Sequence, residues 1–290
     1  MLKTVPKTYQ SPRTVEEAVQ AVSQTGAAIL AGGTDLMPRW SRNLSPRPAA
    51  LVDLKRIEQL RGVKLVDGVV RIGACTLMSE LEADPLIRAA APILAQAASR
   101  VACPQIRNRA TLGGNLCNAS PAADTAVPLL ILDATLEVAS PRSDGVAMRE
   151  IPVAEFFHGP GRTALQPGEV LTSIRFNPLA SGTFSAWDKF GTRPAMEIAV
   201  VSVGVVLALA RGEVTQARVA YGSVAPVPLR GRKAETVLLG QPMRGEIIDR
   251  CVAAARDEIS PISDVRASQD YRREIVAVML RRMLENAASH

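Results

Sequence analysis

Histidine is nearly missing from this chain, whose 290 residues include only His158 and His290. There is no His-Glu-x-x-His, no Gly-x-Ser-x-Gly elbow and no Gly-x-x-x-x-Gly-Lys-Ser/Thr, so the signatures of zinc peptidases, α/β-hydrolases and P-loop nucleotidases are absent. The four cysteines, Cys75, Cys103, Cys117 and Cys251, form no Cys-x-x-Cys and signal neither a zinc site nor an iron–sulfur cluster. They read as free thiols of a reducing compartment. Aromatic residues make up only 3% of the chain, and its 34 basic residues, against 28 acidic ones, are dispersed. A nucleic-acid surface would need clustered charge and stacking platforms. The net charge of +6 fits instead a mildly basic surface with an anionic cofactor or an acidic partner. The longest apolar run, Ala199 to Ala210, is too short to span a bilayer, and the first residues lack the apolar core of a signal peptide, so a cytoplasmic protein with no membrane span is predicted. With so few catalytic side chains, any chemistry is expected from a bound organic cofactor.

What is present reads as an ordinary globular chain, 47% hydrophobic and 21% charged, of a length that suits two domains. A helix from Thr14 to Gly26, with Thr14 as N-cap and Glu17 as its capping-box partner, leads into an apolar strand, Ala27 to Leu30, and a second strand at Ala49 to Leu54. Asp67-Gly68 marks a tight hairpin between Val63 and Ala74. Two helices, "TLMSELEADPLI" and "APILAQAASRVA", and further strands follow. Asn-Pro and Ser-Gly between Phe176 and Phe184 mark a domain break. Beyond it three antiparallel strands are expected, the last two joined by Arg211-Gly212, and then helices. The last helix carries an apolar stripe of Tyr271, Ile275, Val278, Met279 and Met283, expected to pack on the sheet.

Two glycine pairs stand out. In "AGGTDL", Gly32 and Gly33 directly follow a strand and precede Thr34; in "TLGGNL", Gly113 and Gly114 lie between Thr111 and Asn115. Adjacent glycines can turn successive N–H groups towards one point and make an anion nest, and two such loops could close on one diphosphate. In "SPAADTAVPLL", Ser120 is expected to cap a helix with Pro121 at its first position, which puts Asp124 in the first turn. There Asp124 either simply favours the helix dipole or accepts hydrogen bonds from ribose hydroxyls. The one near match to a Rossmann fingerprint, "GPGRTA", has no following helix, which points away from a nicotinamide fold.

In this order, "AGGTDL", "ATLGGNLCNASPAAD", "GEVLTSIRF" and "FSAWDKFG" resemble the FAD-binding medium subunits of molybdenum hydroxylases, the xanthine dehydrogenase and carbon monoxide dehydrogenase family, over nearly the whole chain. The resemblance implies an α+β fold. Its FAD-binding domain, of the vanillyl-alcohol oxidase/p-cresol methylhydroxylase type, would cover residues 1–177 in two subdomains, about 1–57 and 58–177. A C-terminal domain of three antiparallel strands and helices would cover 183–290. The resemblance places Ile29, Leu30, Ala31, Gly32, Gly33, Thr34, Asp35 and Leu36 in a first loop on the FAD pyrophosphate. Thr111, Gly113, Gly114 and Asn115 form the second. Asp124 matches an aspartate associated with ribose hydroxyls, Leu171 an apolar contact, and Lys189 a lysine reaching the flavin. Val101 stands where xanthine dehydrogenases carry an aromatic residue beside the flavin ring.

It further implies that this chain passes electrons through FAD from a small subunit with 2Fe-2S clusters to a terminal acceptor. A large molybdopterin subunit would complete a heterotrimer or its dimer. A flavin subunit like that of 4-hydroxybenzoyl-CoA reductase would need more cysteines for its inserted cluster than Cys103 and Cys117 provide. A stand-alone reductase on the same fold would need a proton donor that has no clear candidate here, and a pure scaffold would need no anion nest.

Overall fold

The computed structural model describes residues 6–23, 27–46, 48–193 and 195–289. Gly26, the expected stop of the first helix, and His290 lie outside them. The chain opens with β1 (Thr8–Gln10), α1 (Val15–Val22), β2 (Ala27–Leu30), α2 (Leu36–Ser41) and β3 (Ala50–Asp53), whose strands form a parallel sheet in the order β1-β3-β2. The short β1 carries no sequence signal of its own. Thr14 caps α1 by accepting from the Glu17 N–H at 3.2 Å, but the Glu17 carboxylate accepts from the Arg13 N–H rather than from Thr14. Val15, Ala18 and Val19 are the buried stripe of α1, at the 3.6-residue spacing that makes a short helix worth forming only against a sheet.

Next come β4 (Val63–Val66) and β5 (Val69–Gly73), then α3 (Met78–Ala83), α4 (Pro85–Ala90), α5 (Pro92–Ser99), α6 (Pro104–Arg107), α7 (Leu112–Cys117) and α8 (Ala126–Ile131). β6 (Thr135–Arg142), β7 (Gly145–Pro152), α9 (Val153–Phe156), the small hairpin β8 (Phe157–Gly159) and β9 (Arg162–Thr163), and β10 (Val170–Phe176) complete this part. The larger sheet is antiparallel, in the order β4-β5-β10-β6-β7. The β4–β5 turn has Asp67 at φ 50° and Gly68 at φ 78°, as a tight hairpin requires. The helix expected over "TLMSELEADPLI" is two helices. Pro85 removes the backbone donor needed to continue α3, and the Asp84 carboxylate restarts the chain by accepting from the Ile87 N–H at 3.0 Å.

The remainder is β11 (Phe184–Phe190), β12 (Val201–Ala210), β13 (Glu213–Gly222), β14 (Leu229–Arg230), α10 (Arg232–Leu238), α11 (Gly245–Glu258) and α12 (Gln269–Ala288). The expected three antiparallel strands are present, and β14 adds a fourth, in the order β11-β12-β13-β14. Only two residues long and preceded by "APVP", it has too little pattern to be read from sequence. The unbroken apolar run of β12 has a structural cause: Val201, Val203, Val205 and Leu207 join the core under α11 and α12, whereas Val206 joins the core of the preceding domain with Trp187 and Ala220. A strand covered on both faces loses the polar alternation of a half-exposed one.

The stripe on α12 is turned from the expected one. Of the expected stripe, Met283 is buried and Ile275 and Met279 pack half-buried on the core, but the buried line runs through Arg272, Val276, Leu280, Leu284 and Ala287, and Tyr271 stays 47% exposed. Arg272 sets this rotation: its guanidinium donates to the Val200 and Ser223 carbonyls at 2.6 and 3.0 Å and to Asp264 at 2.8 Å. These bonds and the Asp264 carboxylate offset the cost of burying the charge, although Nε stays buried without a partner among the described residues.

Candidate cofactor site

A cavity of about 560 Å³ opens where the parallel sheet, the helices around α7 and the C-terminal domain meet. All of the residues singled out from sequence line it except Leu30 and Lys189. One wall is the stretch that leaves β2. Gly33 adopts φ +76°, and a Cβ there would press on Leu30 Cδ1 at 2.9 Å, so the turn into α2 needs glycine. The Gly33 carbonyl accepts from the Met37 N–H at 3.0 Å, but no hydrogen bond among the described residues uses the N–H groups of Gly32, Gly33, Thr34 or Asp35. A run of unspent donors facing a cavity is the arrangement that binds the oxygens of a phosphate or diphosphate.

The second glycine stretch is built differently from the open loop expected. Thr111 caps α7 by accepting from the Gly114 N–H at 3.0 Å, so both glycines lie inside a helical turn. Its other early donors are also committed: Leu112 N–H to the Thr76 carbonyl at 3.0 Å and Gly113 N–H to the Ala74 carbonyl at 2.8 Å. Gly113 is needed for close approach, since a Cβ would come within 2.7 Å of the Ala74 side chain. Asn115 accepts from the Thr125 hydroxyl at 2.7 Å, which leaves its amide NH₂ as the donor that this wall can offer.

The helix expected to begin at Pro121 begins instead at Ala126. Ser120 closes a local turn by accepting from the Ala122 N–H at 3.2 Å, and the Pro121 carbonyl turns away to accept from the Ser223 N–H at 2.8 Å. Asp124 therefore stands just before α8, on the cavity wall. Its Oδ2 accepts from Lys189 Nζ of β11 at 2.7 Å, with side-chain exposures of 10% and 2% for Asp124 and Lys189. Its Oδ1 is buried without a partner. Burial pushes the Asp124 carboxyl up to about 6, and the nearby Lys189 and Arg100 cations only partly offset this. Lys189 itself does not reach the cavity surface; it acts there through Asp124.

Several lining residues have no local sequence signature. Arg39 of α2 is the only cationic side chain among the described residues of the wall, and its guanidinium makes a 3.5 Å contact to Asn118 Oδ1. Glu197 and Ile198 come from the segment between β11 and β12, which the Met196 N–H ties to the Ala102 carbonyl, next to Val101, at 3.1 Å. Cys75 and Cys117 also face the cavity, their thiols pushed up by burial to about 11 and about 12. Only the fold brings these residues to the glycine turn.

The residues present fit a dinucleotide such as FAD. Unspent backbone donors and one arginine suit a diphosphate, the orphaned Asp124 Oδ1 suits a hydroxyl or ring N–H, and Val101, Leu171 and Ile29 supply apolar wall.

Comparison with known proteins agrees with this chemistry. Residues 4–178 match the family described as the FAD-binding domain in molybdopterin dehydrogenase. Residues 186–287 match the carbon monoxide dehydrogenase flavoprotein C-terminal domain. The xanthine dehydrogenase FAD-binding subunit of Escherichia coli O157:H7 is 33% identical, with 97% of this chain and 96% of that one aligned. The carbon monoxide dehydrogenase medium chain of Hydrogenophaga pseudoflava is also 33% identical, over 97% and 96% of the two chains. A solved structure of carbon monoxide dehydrogenase from that organism superposes with a TM-score of 0.91 at 32% identity, covering 97% of this chain and 98% of that one. Quinoline 2-oxidoreductase from Pseudomonas putida 86 superposes at 0.89 with 28% identity, covering 97% and 96%. Matched in both domains and along almost its full length, the chain belongs to the family of FAD-binding medium subunits of molybdopterin dehydrogenases.

Proposed function

We propose that this chain is the electron-transfer flavoprotein subunit of a molybdenum hydroxylase complex, working in the cytoplasm. It takes electrons from a 2Fe-2S subunit, while a molybdopterin subunit carries the substrate chemistry. The observation that carries the reading is the cavity wall at 32–35, with four adjacent N–H groups that no hydrogen bond among the described residues uses, in the same cavity as a buried carboxylate with one oxygen unpaired among them. Bound FAD supplies a carrier that accepts electrons in pairs and can release them singly. The protein's part is to hold and insulate it. Residues Ile29 to Leu36 and Arg39 hold the diphosphate, Asn115 and Asp124 fix hydroxyl or ring groups, and Lys189 steadies the Asp124 charge. Leu171 and Val101 exclude water from the apolar faces.

The FAD-binding domain is taken as 1–177, with subdomains about 1–57 and 58–177, and the C-terminal domain as 183–290; the end of β10 at Phe176 and the start of β11 at Phe184 support this division. The four unpaired cysteines support a reducing compartment.

The test is the visible spectrum of the purified chain after FAD is added and the excess removed. Stoichiometric flavin bands are expected. They should be lost in Gly114→Asp, because a Cβ there stands 2.8 Å from the Thr111 hydroxyl and points towards Ala31 at 3.9 Å, between the two binding stretches. Retained far-ultraviolet circular dichroism would show the variant still folded. Flavin binding unchanged in that folded variant would refute the placement.

A further inference from the structure

Behind the wall formed by Ala31, Cys75 and Thr111 lies a second cavity, of about 70 Å³, which these three residues share with the larger one. Its charged lining is entirely basic: Lys55, Arg61 and Arg109, with the Asn108 amide beside them. The three come from separate turns, Lys55 after β3, Arg61 before β4 and Arg109 before α7. The Arg109 backbone is fixed against the glycine turn, because a Cβ on Gly32 would overlap its carbonyl.

Among the described residues only one carboxylate pairs with this cluster. Asp53 accepts from Lys55 at 2.7 Å and also from the Tyr9 hydroxyl at 2.5 Å. Among the described residues Arg61 and Arg109 make no side-chain ion pair or hydrogen bond, although Arg61 and Lys55 both act on the Cys75 thiol at the cavity floor. Asp53 offsets only Lys55, so the Arg61 and Arg109 cations facing one small space repel one another until an anion enters. The space exceeds the share of two liquid waters, roughly 30 Å³ each, which suits a tetrahedral oxyanion. The guanidinium forks of two arginines match such oxygens better than they match chloride.

We propose that this cavity is an oxyanion site, distinct from the dinucleotide cavity, that binds phosphate or the phosphoryl end of a phosphomonoester through Arg61, Arg109 and Lys55. Its opening, flanked by the exposed Arg61, Asn108 and Arg109, leaves room for an ester group to project into solvent.

The test is a ³¹P magnetic-resonance titration of the full chain loaded with FAD, at constant ionic strength in chloride. Inorganic phosphate is used in one arm and glycerol 3-phosphate in the other. Saturable broadening of the added phosphate is expected, with the bound diphosphate resonances unshifted. Arg61→Ala and Arg109→Ala should each weaken binding by about tenfold. Saturation by both ligands would define a phosphoryl site open to esters, and saturation by phosphate alone a closed site for the free ion. Non-saturating broadening, or binding in the two variants as tight as in the parent, would overturn the proposal. Should the chain hold no FAD, the same titration of the free chain separates the two readings. Binding that is lost in Arg61→Ala and Arg109→Ala but kept in Arg39→Gln still places the ion in the small cavity. The reverse pattern puts it in the large one and ends the proposal.

Discussion

Replacing Lys189 by methionine isolates one charge at the junction of the two domains. In the native protein Asp124 titrates at about 6 instead of 3.8, because burial outweighs the cations near it. The folded state then binds this proton more tightly than the unfolded chain does. Asp124 therefore favours folding most below pH 3.8 and loses that contribution as pH rises to about 6. Lys189 is the largest of the influences that hold the value down, so its removal moves the carboxyl further up and shrinks its ionised fraction at pH 7. At pH 7, one pH unit above its value, the native carboxylate gains about 1.4 kcal/mol by ionising beside Lys189, and the variant forgoes up to that amount. At pH 5 both proteins carry the proton and this difference vanishes. Lys189→Met should thus lose more stability at pH 7 than at pH 5 in urea unfolding, by up to about 1.4 kcal/mol, on top of a packing loss common to both. In an Asp124→Asn background the pH difference should disappear. Equal losses at the two pH values, or a pH difference that survives in that background, would refute the coupling.

Arg39→Gln removes the one cation among the described residues of the cavity wall, and the dissociation constant for FAD, read by fluorescence quenching, should rise about tenfold at low salt and by less at high salt. Riboflavin, which has no phosphate, should bind the variant and the parent alike; an equal loss for riboflavin would contradict a diphosphate role. Gly33→Ala meets both a positive φ of 76° and Leu30 Cδ1 at 2.9 Å, so it should cost about 1 kcal/mol or more in urea unfolding and weaken FAD binding. No change in either would mean the turn relaxes without moving its donors.

The sequence made the first glycine turn legible because its logic is local: a strand, two glycines and a short polar side chain suffice. The second stretch was harder to read, since Gly113-Gly114 looks like a break in any helix. The Thr111 cap and the Ala74 and Thr76 carbonyls overrule that weak propensity. Ser120-Pro121 carries the strongest local helix-start signal in the region, yet the Pro121 carbonyl is drawn to Ser223, a residue of the other domain. The pairing of Asp124 with Lys189 spans 65 residues and has no periodicity to reveal it. Arg39, Glu197 and Ile198 became candidates only once the fold set them around one space. The same holds for α12, whose apolar spacing allows two neighbouring stripes; the acceptors waiting for Arg272 select one of them.

Lys189 lies on β11, an edge strand whose only partner in the sheet among the described residues is β12, and β12 ends at Ala210. During synthesis the glycine turn at residues 32 and 33 leaves the ribosome long before that partner exists. Since domains tend to fold as units in order of their emergence, the first domain must wait with Asp124 uncovered. Its last wall arrives with the C-terminal domain. Completion of the cavity is thereby placed late in the life of the nascent chain, and a truncation before β12 leaves a protein that has made its glycine turn but has no strand to hold β11, and with it Lys189, beside Asp124.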